Sequence, residues 1–111
     1  MAKFALWVVV ESKAGKEKEL EEFLTSAQPL AEAEPGTLTW YAVKLASSKY
    51  AIFDTFADEN GRDAHLNGPI AKALFGKGRE LLASDPAVLQ LNVLASKAPG
   101  DEVKRFGAHS S

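Results

Sequence analysis

The stretch YAIFDTFADENGRDAHLNGP, residues 50–69, passes from a strand into a helix. Its first part is rich in aromatic and β-branched residues, which favour a strand. Asp58 follows this run, and aspartate is a preferred N-cap residue, so a helix is predicted to begin there. Gly68 and Pro69 interrupt that helix. The stretch therefore predicts a strand followed by a helix, with His65 near the end of the helix's first segment.

Hydrophobic patterns on either side predict three more strands and a second helical region. The predicted strands are Phe4–Val10, Thr37–Leu45, Tyr50–Ala57 and Ala87–Ser96. The predicted helices are Lys16–Ala33, kinked or restarted at Pro29, and a helix capped by Asp58 that is interrupted at Gly68 and Pro69 and resumes over Ile70–Ala83. This β-α-β-β-α-β order is that of the ferredoxin-like fold, an α+β architecture. We expect a four-stranded antiparallel sheet with both helices on one face.

The other face of the predicted sheet is apolar as well. On the first and last strands, the residues expected on that face are Ala5, Trp7, Val9, Leu89, Leu91 and Val93. A sheet with one face in water alternates apolar with polar residues, and these strands do not. The pattern therefore predicts that the sheet faces of two copies meet, giving a homodimeric α+β barrel.

Composition limits the classes of function. The 111 residues predict one domain over residues 1–97, followed by a tail, residues 98–111, that is mobile or lies across the partner subunit. The net charge is −2 and the 13 Lys and Arg are dispersed, which disfavours nucleic-acid binding. The absence of cysteine suits a cytoplasmic protein. No segment is long enough to span a bilayer, so we expect no membrane association of that kind.

Three stretches, EPGTLTWYAVK (residues 34–44), YAIFDTFADENGRDAHLNGPIAKAL (residues 50–74) and NVLASK (residues 92–97), resemble the antibiotic biosynthesis monooxygenase domain family. The resemblance covers about residues 4–97. It implies a dimeric α+β barrel with a pocket between the helices and the sheet of each subunit. It also implies oxidation of a quinol or a polycyclic or hydroxylated aromatic by O2, with no cofactor.

Haem-degrading members of that family use an Asn on the first strand, a Trp on the third and a His on the second helix. The matching positions here are Val8, Phe56 and Phe75. Phenylalanine cannot ligate iron, so the resemblance implies no haem in this chain. The aromatic-oxidising members also tend to use the Asn and the Trp, and neither is present.

Asp54 and His65 are the candidate catalytic residues. Asp54 lies on an apolar strand face, where a carboxylate needs a donor, and His65 on the helix above is the expected partner. In one interpretation Asp54 orients His65, which takes a proton from a phenol or quinol. In the other, the two side chains satisfy each other or the backbone at the helix break. The sequence contains no phosphate-binding loop, nucleophile elbow or paired-His metal motif. His109 lies in the tail, and nothing in the sequence suggests a function for it.

Aromatic residues near Asp54 could line a substrate pocket or belong to the core. If the hairpin turn has an even length, Tyr41 lies opposite Asp54, and a slip of one residue places Trp40 there instead. Phe53 and Phe56 are the other aromatic candidates on this hairpin.

Arg62, on the same helix as His65, could contact an anionic substrate or pair with Asp58 or Glu59.

Two functions from different classes follow from these features. The first is a small cofactor-independent monooxygenase in which His65 and Asp54 are catalytic. Its substrate-binding residues would be Trp40, Tyr41, Phe56 and Arg62. The second is a non-catalytic dimeric module of the same fold that binds a ligand or acts in stress. The missing Asn and Trp favour the second.

Overall fold

The computed structural model describes residues 1–98. In chain order its elements are β1 (Phe4–Glu11), α1 (Glu17–Ser26), α2 (Gln28–Glu32), β2 (Thr37–Ala46), β3 (Lys49–Phe56), α3 (Glu59–Leu66), α4 (Pro69–Phe75), a 3₁₀ turn (Lys77–Leu81) and β4 (Ala87–Asn92). The strands form one antiparallel sheet in the order β2-β3-β1-β4. The predicted ferredoxin-like α+β fold is thereby confirmed. The predicted tail lies outside the described residues apart from its first residue.

The helical regions are more divided than the sequence patterns predict. The first divides into α1 and α2 near Pro29, as expected, because proline is accommodated in the first turn of a new helix. The second does not continue to Ala83: α4 ends at Phe75 and a 3₁₀ turn follows. Gly76 and Gly78 lie in this region, and glycine disfavours a continuous helix.

Strand β4 is shorter than predicted and ends at Asn92 rather than Ser96. Asn92 pairs with Phe4, the first residue of β1, and one further backbone hydrogen bond follows, from the Val93 N–H to the Lys3 carbonyl oxygen at 2.9 Å. Leu94 follows with its side chain almost wholly exposed. None of the helices within residues 1–98 is long and apolar enough to cross a membrane.

The core lies between the sheet and the helices. Its main cluster of buried side chains comprises Val8, Val10, Leu20, Leu24, Tyr50, Ile52, Leu74 and Leu82. Each large apolar side chain removed from water contributes about 1.5–3 kcal/mol to folding. Trp40 packs against this cluster and against a smaller one formed by Ala27, Ala31 and Ile70. Trp40 therefore joins β2 to the helical layer.

The opposite face of the sheet is lined by apolar side chains that remain partly exposed. Trp7 and Phe53 are cross-strand neighbours on β1 and β3, with ring centroids 6.4 Å apart. Tyr41 on β2 is 57% exposed and Leu89 on β4 is 56% exposed. We call this surface the open face.

The register of the β2–β3 hairpin places Trp40 opposite Asp54 and Tyr41 opposite Phe53. The prediction of Tyr41 opposite Asp54 is therefore wrong, and the alternative of Trp40 is confirmed. Between Lys44 and Ala46 the register shifts, so that β2 holds one residue more than β3 next to the turn. This bulge moves the pairing by one residue and turns Tyr41 to the open face.

Two glycines allow the turn before β2 to touch the start of α3. A Cβ atom on Gly36 would lie 2.8 Å from the Gly61 Cα, and one on Gly61 would lie 2.7 Å from the Gly36 carbonyl oxygen. Backbone therefore packs directly on backbone, with no room for a side chain on either residue.

We expect Gly36→Ala to lower the free energy of unfolding by about 1–3 kcal/mol, because the added methyl group forces the two backbone segments apart. Urea denaturation followed by circular dichroism, at one fixed protein concentration, measures the effect. Ser47→Ala, in the exposed β2–β3 turn, is the matched control. Equal stabilities of the two variants would contradict the packing described here.

Candidate functional site

His65 lies in the last turn of α3 and is buried between two carboxylates. Its Nδ1 is 2.6 Å from Glu34 Oε1, and its Nε2 is 2.8 Å from Asp54 Oδ2. The side chains of His65, Asp54 and Glu34 are 7%, 1% and 16% exposed. We call these three residues the charge bridge, because a doubly protonated imidazole donates toward both acids.

Each member of the charge bridge is placed by local structure. Asp54 lies on the helix-facing side of β3, opposite Trp40 and Leu6. Asp58 caps α3 by accepting a hydrogen bond from the Gly61 backbone N–H at 2.8 Å, as predicted for an N-cap. That cap fixes where α3 begins, so the turn that carries His65 faces the sheet.

Glu34 belongs to the turn between α2 and β2. Its Oε1 accepts a hydrogen bond from the Thr37 hydroxyl at 2.7 Å, in addition to its contact with His65. The turn is held against α3 by the Gly36 and Gly61 backbone contact. Glu34 therefore connects the turn, α3 and, through His65, the sheet.

The pKa of His65 is raised above its ordinary value of 6.5. Burial by itself lowers the pKa, because it disfavours the charged imidazole, but the two facing carboxylates of Asp54 and Glu34 outweigh burial. The position near the C-terminal end of a helix also favours a positive charge. The raised pKa and the two facing carboxylates therefore favour the imidazolium form of His65.

This arrangement limits what His65 can do chemically. A general base needs an unprotonated nitrogen that faces its substrate. Both ring nitrogens of His65 face buried carboxylates, and its raised pKa favours the form in which both are protonated. Among residues 1–98, neither Asp54 oxygen receives a well-aligned hydrogen bond, so the contact with His65 is an ion pair. The geometry favours a structural and electrostatic role for the pair.

The aromatic candidates divide between the two faces of the sheet. Phe56 is fully buried, and its ring lies 5.5 Å from that of His65. Trp40 is on the same side, and its buried Nε1–H has no hydrogen-bond partner within the described part of the chain. Tyr41 is on the open face, so the structure does not bring it to the charge bridge.

Arg62 is buried one turn before His65, but it does not face the charge bridge. Its Nη1 donates to the Leu91 carbonyl oxygen at 3.3 Å, and its guanidinium stacks over the Phe4 ring at 5.0 Å. Nη2 lies 3.7 Å from Glu59, one of the two carboxylates considered as its partner. Arg62 therefore joins α3 to β1 and β4.

Glu34 is the member that sequence analysis missed. In the sequence it is only the first residue of the stretch EPGTLTWYAVK, and it lies 31 residues from His65 in the chain. No periodic pattern links the two positions. One signal could have indicated such a residue. When a buried histidine contacts an aspartate through one ring nitrogen, its other nitrogen also needs a partner, and a nearby turn can supply it.

A pocket of about 300 Å³ lies between α2 and the start of β2. Its lining residues are Gln28, Ala31, Glu32, Thr37, Leu38, Thr39 and Trp40. The two walls of this pocket are the segments that Glu34 joins. Residues 1–98 contain no group of three or more His, Cys, Asp or Glu side chains arranged to hold a metal ion.

Neither a family model nor a curated protein matches the chain. Among solved structures, NE2512 of Nitrosomonas europaea, a protein of unknown function, superposes with a TM-score of 0.87. It is 50% identical in sequence, over 89% of this chain and 96% of that one. The chain belongs to the family of this Nitrosomonas protein.

Two solved structures described as "putative antibiotic biosynthesis monooxygenase" share the fold. One, from Nitrosomonas europaea, has a TM-score of 0.75 at 13% identity, over 83% of this chain and 99% of that one. The other, from Caulobacter crescentus, has a TM-score of 0.74 at 16% identity, over 85% of this chain and 92% of that one. The resemblance stated from sequence is therefore confirmed at the level of the fold.

We expect His65→Gln to lower the free energy of unfolding by about 3 kcal/mol near pH 6, because it leaves two buried carboxylates without their cation. The folded pKa of His65 is raised, so its stabilisation is fully present below pH 6.5 and is lost as the pH rises through the folded pKa. The difference between wild type and variant therefore shrinks as the pH rises.

Urea denaturation at several pH values measures this difference. His109→Gln, which removes the only other histidine, is the matched control. A difference that stays constant or grows with pH would show that His65 is not charged in the folded protein.

Proposed function

We propose that this chain is a homodimeric module that binds a small aromatic ligand and does not use His65 as a catalytic base. The observation that carries the proposal is the engagement of both ring nitrogens of His65 by buried carboxylates. A histidine in that state holds the fold together and offers no lone pair to a substrate.

The pocket between α2 and β2 supports the ligand-binding part of the proposal. Its volume of about 300 Å³ suits a small molecule. Leu38 and Ala31 give it apolar walls, Trp40 gives it an aromatic group, and Thr37 and Thr39 add hydroxyl groups. Apolar walls with a few polar groups are typical of sites for small organic ligands.

The open face supports the dimer. Partly exposed apolar side chains on all four strands form a continuous surface there, and covering each large one contributes about 1.5–3 kcal/mol. A second copy carries the same surface, so the two sheets can pack face to face around a two-fold axis.

We expect light scattering at micromolar concentration to give twice the chain mass of 11.9 kDa. Leu89→Asp, on the open face, should convert the dimer to monomer, because it places a charge in the proposed interface. Leu30 is a partly exposed leucine on α2, in the helical layer, so Leu30→Asp should leave the dimer intact. A monomeric wild type, or a dimeric Leu89→Asp variant, would contradict the assembly.

A second candidate is a cofactor-independent monooxygenase acting on a quinol or a hydroxylated aromatic. The fold shared with the two proteins described as such favours it. In this mechanism Asp54 orients His65, which takes the phenolic proton, and the electron-rich anion passes an electron to O2. His65 would first have to lose a proton and release one of its two carboxylates.

Oxygen consumption with a panel of quinols and anthrones separates the two functions. We expect no consumption above that of the buffer, because His65 is not available as a base. Turnover that falls about 10²–10⁴-fold in a His65→Gln variant that remains folded, as judged by its melting temperature, would establish the second candidate instead.

Saturation-transfer NMR with the same aromatic compounds tests binding directly. We expect binding by wild type and its loss in Leu38→Trp, because the larger side chain fills the pocket. Leu30→Trp, on α2 but outside the pocket lining, is the matched control. Binding that survives Leu38→Trp would place the ligand elsewhere.

A further inference from the structure

The two walls of the pocket meet at Glu34. One wall is α2, which ends at Glu32, and the other is the start of β2 at Thr37. Glu34 lies between them and is tied to α3 through His65 Nδ1 and to Thr37 through its hydroxyl. The position of α2 relative to the sheet therefore depends on whether Glu34 stays bound to His65.

The charges around His65 come from few groups. The elements that pack against α3 are β1, β2, β3 and α4. Within residues 1–98, Asp54 on β3 is the one carboxylate of these elements that lies within ion-pair distance of the imidazole. Glu34, in the turn before β2, is the second carboxylate at that distance. Arg62, on α3 itself, donates a hydrogen bond to the Leu91 carbonyl oxygen and pairs with Glu59.

We propose that the charge bridge is a pH-sensitive clamp, in which His65 in its protonated form holds Glu34 and fixes the position of α2 relative to β2 at the pocket between them. Loss of the proton releases Glu34 and frees α2 to move away from β2. The clamp acts on the ligand site proposed above, so its regulatory role rests on that proposed function.

The direction of release follows from what each carboxylate can do. A neutral imidazole has a single N–H, so one of the two acids loses its donor. Asp54 lies within a central strand with its side chain 1% exposed, and it cannot reach water without disrupting the sheet. Glu34 lies in a turn with its side chain 16% exposed, and a small rotation brings it to solvent. The Glu34 contact is the one with hydrogen-bond geometry, but Glu34 is also the acid that can gain water in its place. Glu34 is therefore the group that leaves, and the remaining N–H turns to Asp54.

Amide hydrogen exchange of the full-length protein tests the clamp without any ligand. Rates are compared between about pH 6 and pH 9, after correction for the pH dependence of chemical exchange. For residues 28–38 we expect the opening constant to rise with pH, by up to about tenfold per pH unit, until the folded pKa of His65 is passed, because opening then releases one proton. Amides of β1, in the sheet core, should not change by the same factor.

Two variants complete the test. Glu34→Gln keeps the side-chain shape, and its amide N–H₂ can donate to an unprotonated Nδ1, so residues 28–38 should lose the pH dependence. Glu32→Gln removes a carboxylate of α2 outside the charge bridge, and it should behave as wild type. A flat profile in wild type, an unchanged slope in Glu34→Gln, or an equal change in β1 would each overturn the clamp. Because no ligand is used, these results are independent of whether the pocket binds an aromatic compound.

Discussion

A buried imidazole between two buried carboxylates constrains the rest of this structure. A carboxylate taken out of water is costly unless a cation and hydrogen bonds accompany it, and here one histidine serves two acids. Their geometry requires α3 to present His65 to the sheet and the turn before β2 to approach α3 closely. The backbone contact of Gly36 with Gly61 makes that approach possible. The N-cap at Asp58, the two glycines and the charge bridge therefore form one mutually dependent unit.

A shared fold does not by itself give this chain the chemistry suggested for its structural neighbours. The chain shares the fold of proteins described as putative antibiotic biosynthesis monooxygenases. The positions at which the sequence resemblance implied an Asn and a Trp contribute here to the core. Val8 belongs to the main buried cluster, and Phe56 is fully buried against His65. Phe75, at the position expected for a haem-ligating His, is partly exposed on α4. Val8 and Phe56 therefore contribute to packing of the core.

The sequence predicts this architecture well because strand and helix periodicity depend on neighbours that are close in the chain. The alternation in β1 and β3, and the break at Gly68 and Pro69, are local signals. The register of β2 is not local, since one bulge next to the turn decides whether Trp40 or Tyr41 faces the helices. Glu34 is less predictable still, because its role arises only when a turn meets a helix 31 residues further along.

The most direct test of this account is an NMR titration of the His65 imidazole in the folded protein. His65→Gln and His109→Gln variants assign the resonances, because the chain has two histidines. The account predicts a pKa above the ordinary value of 6.5, with both ring nitrogens protonated at neutral pH. A pKa at or below 6.5, with a single neutral tautomer at pH 7, would contradict it and would make His65 available as a base.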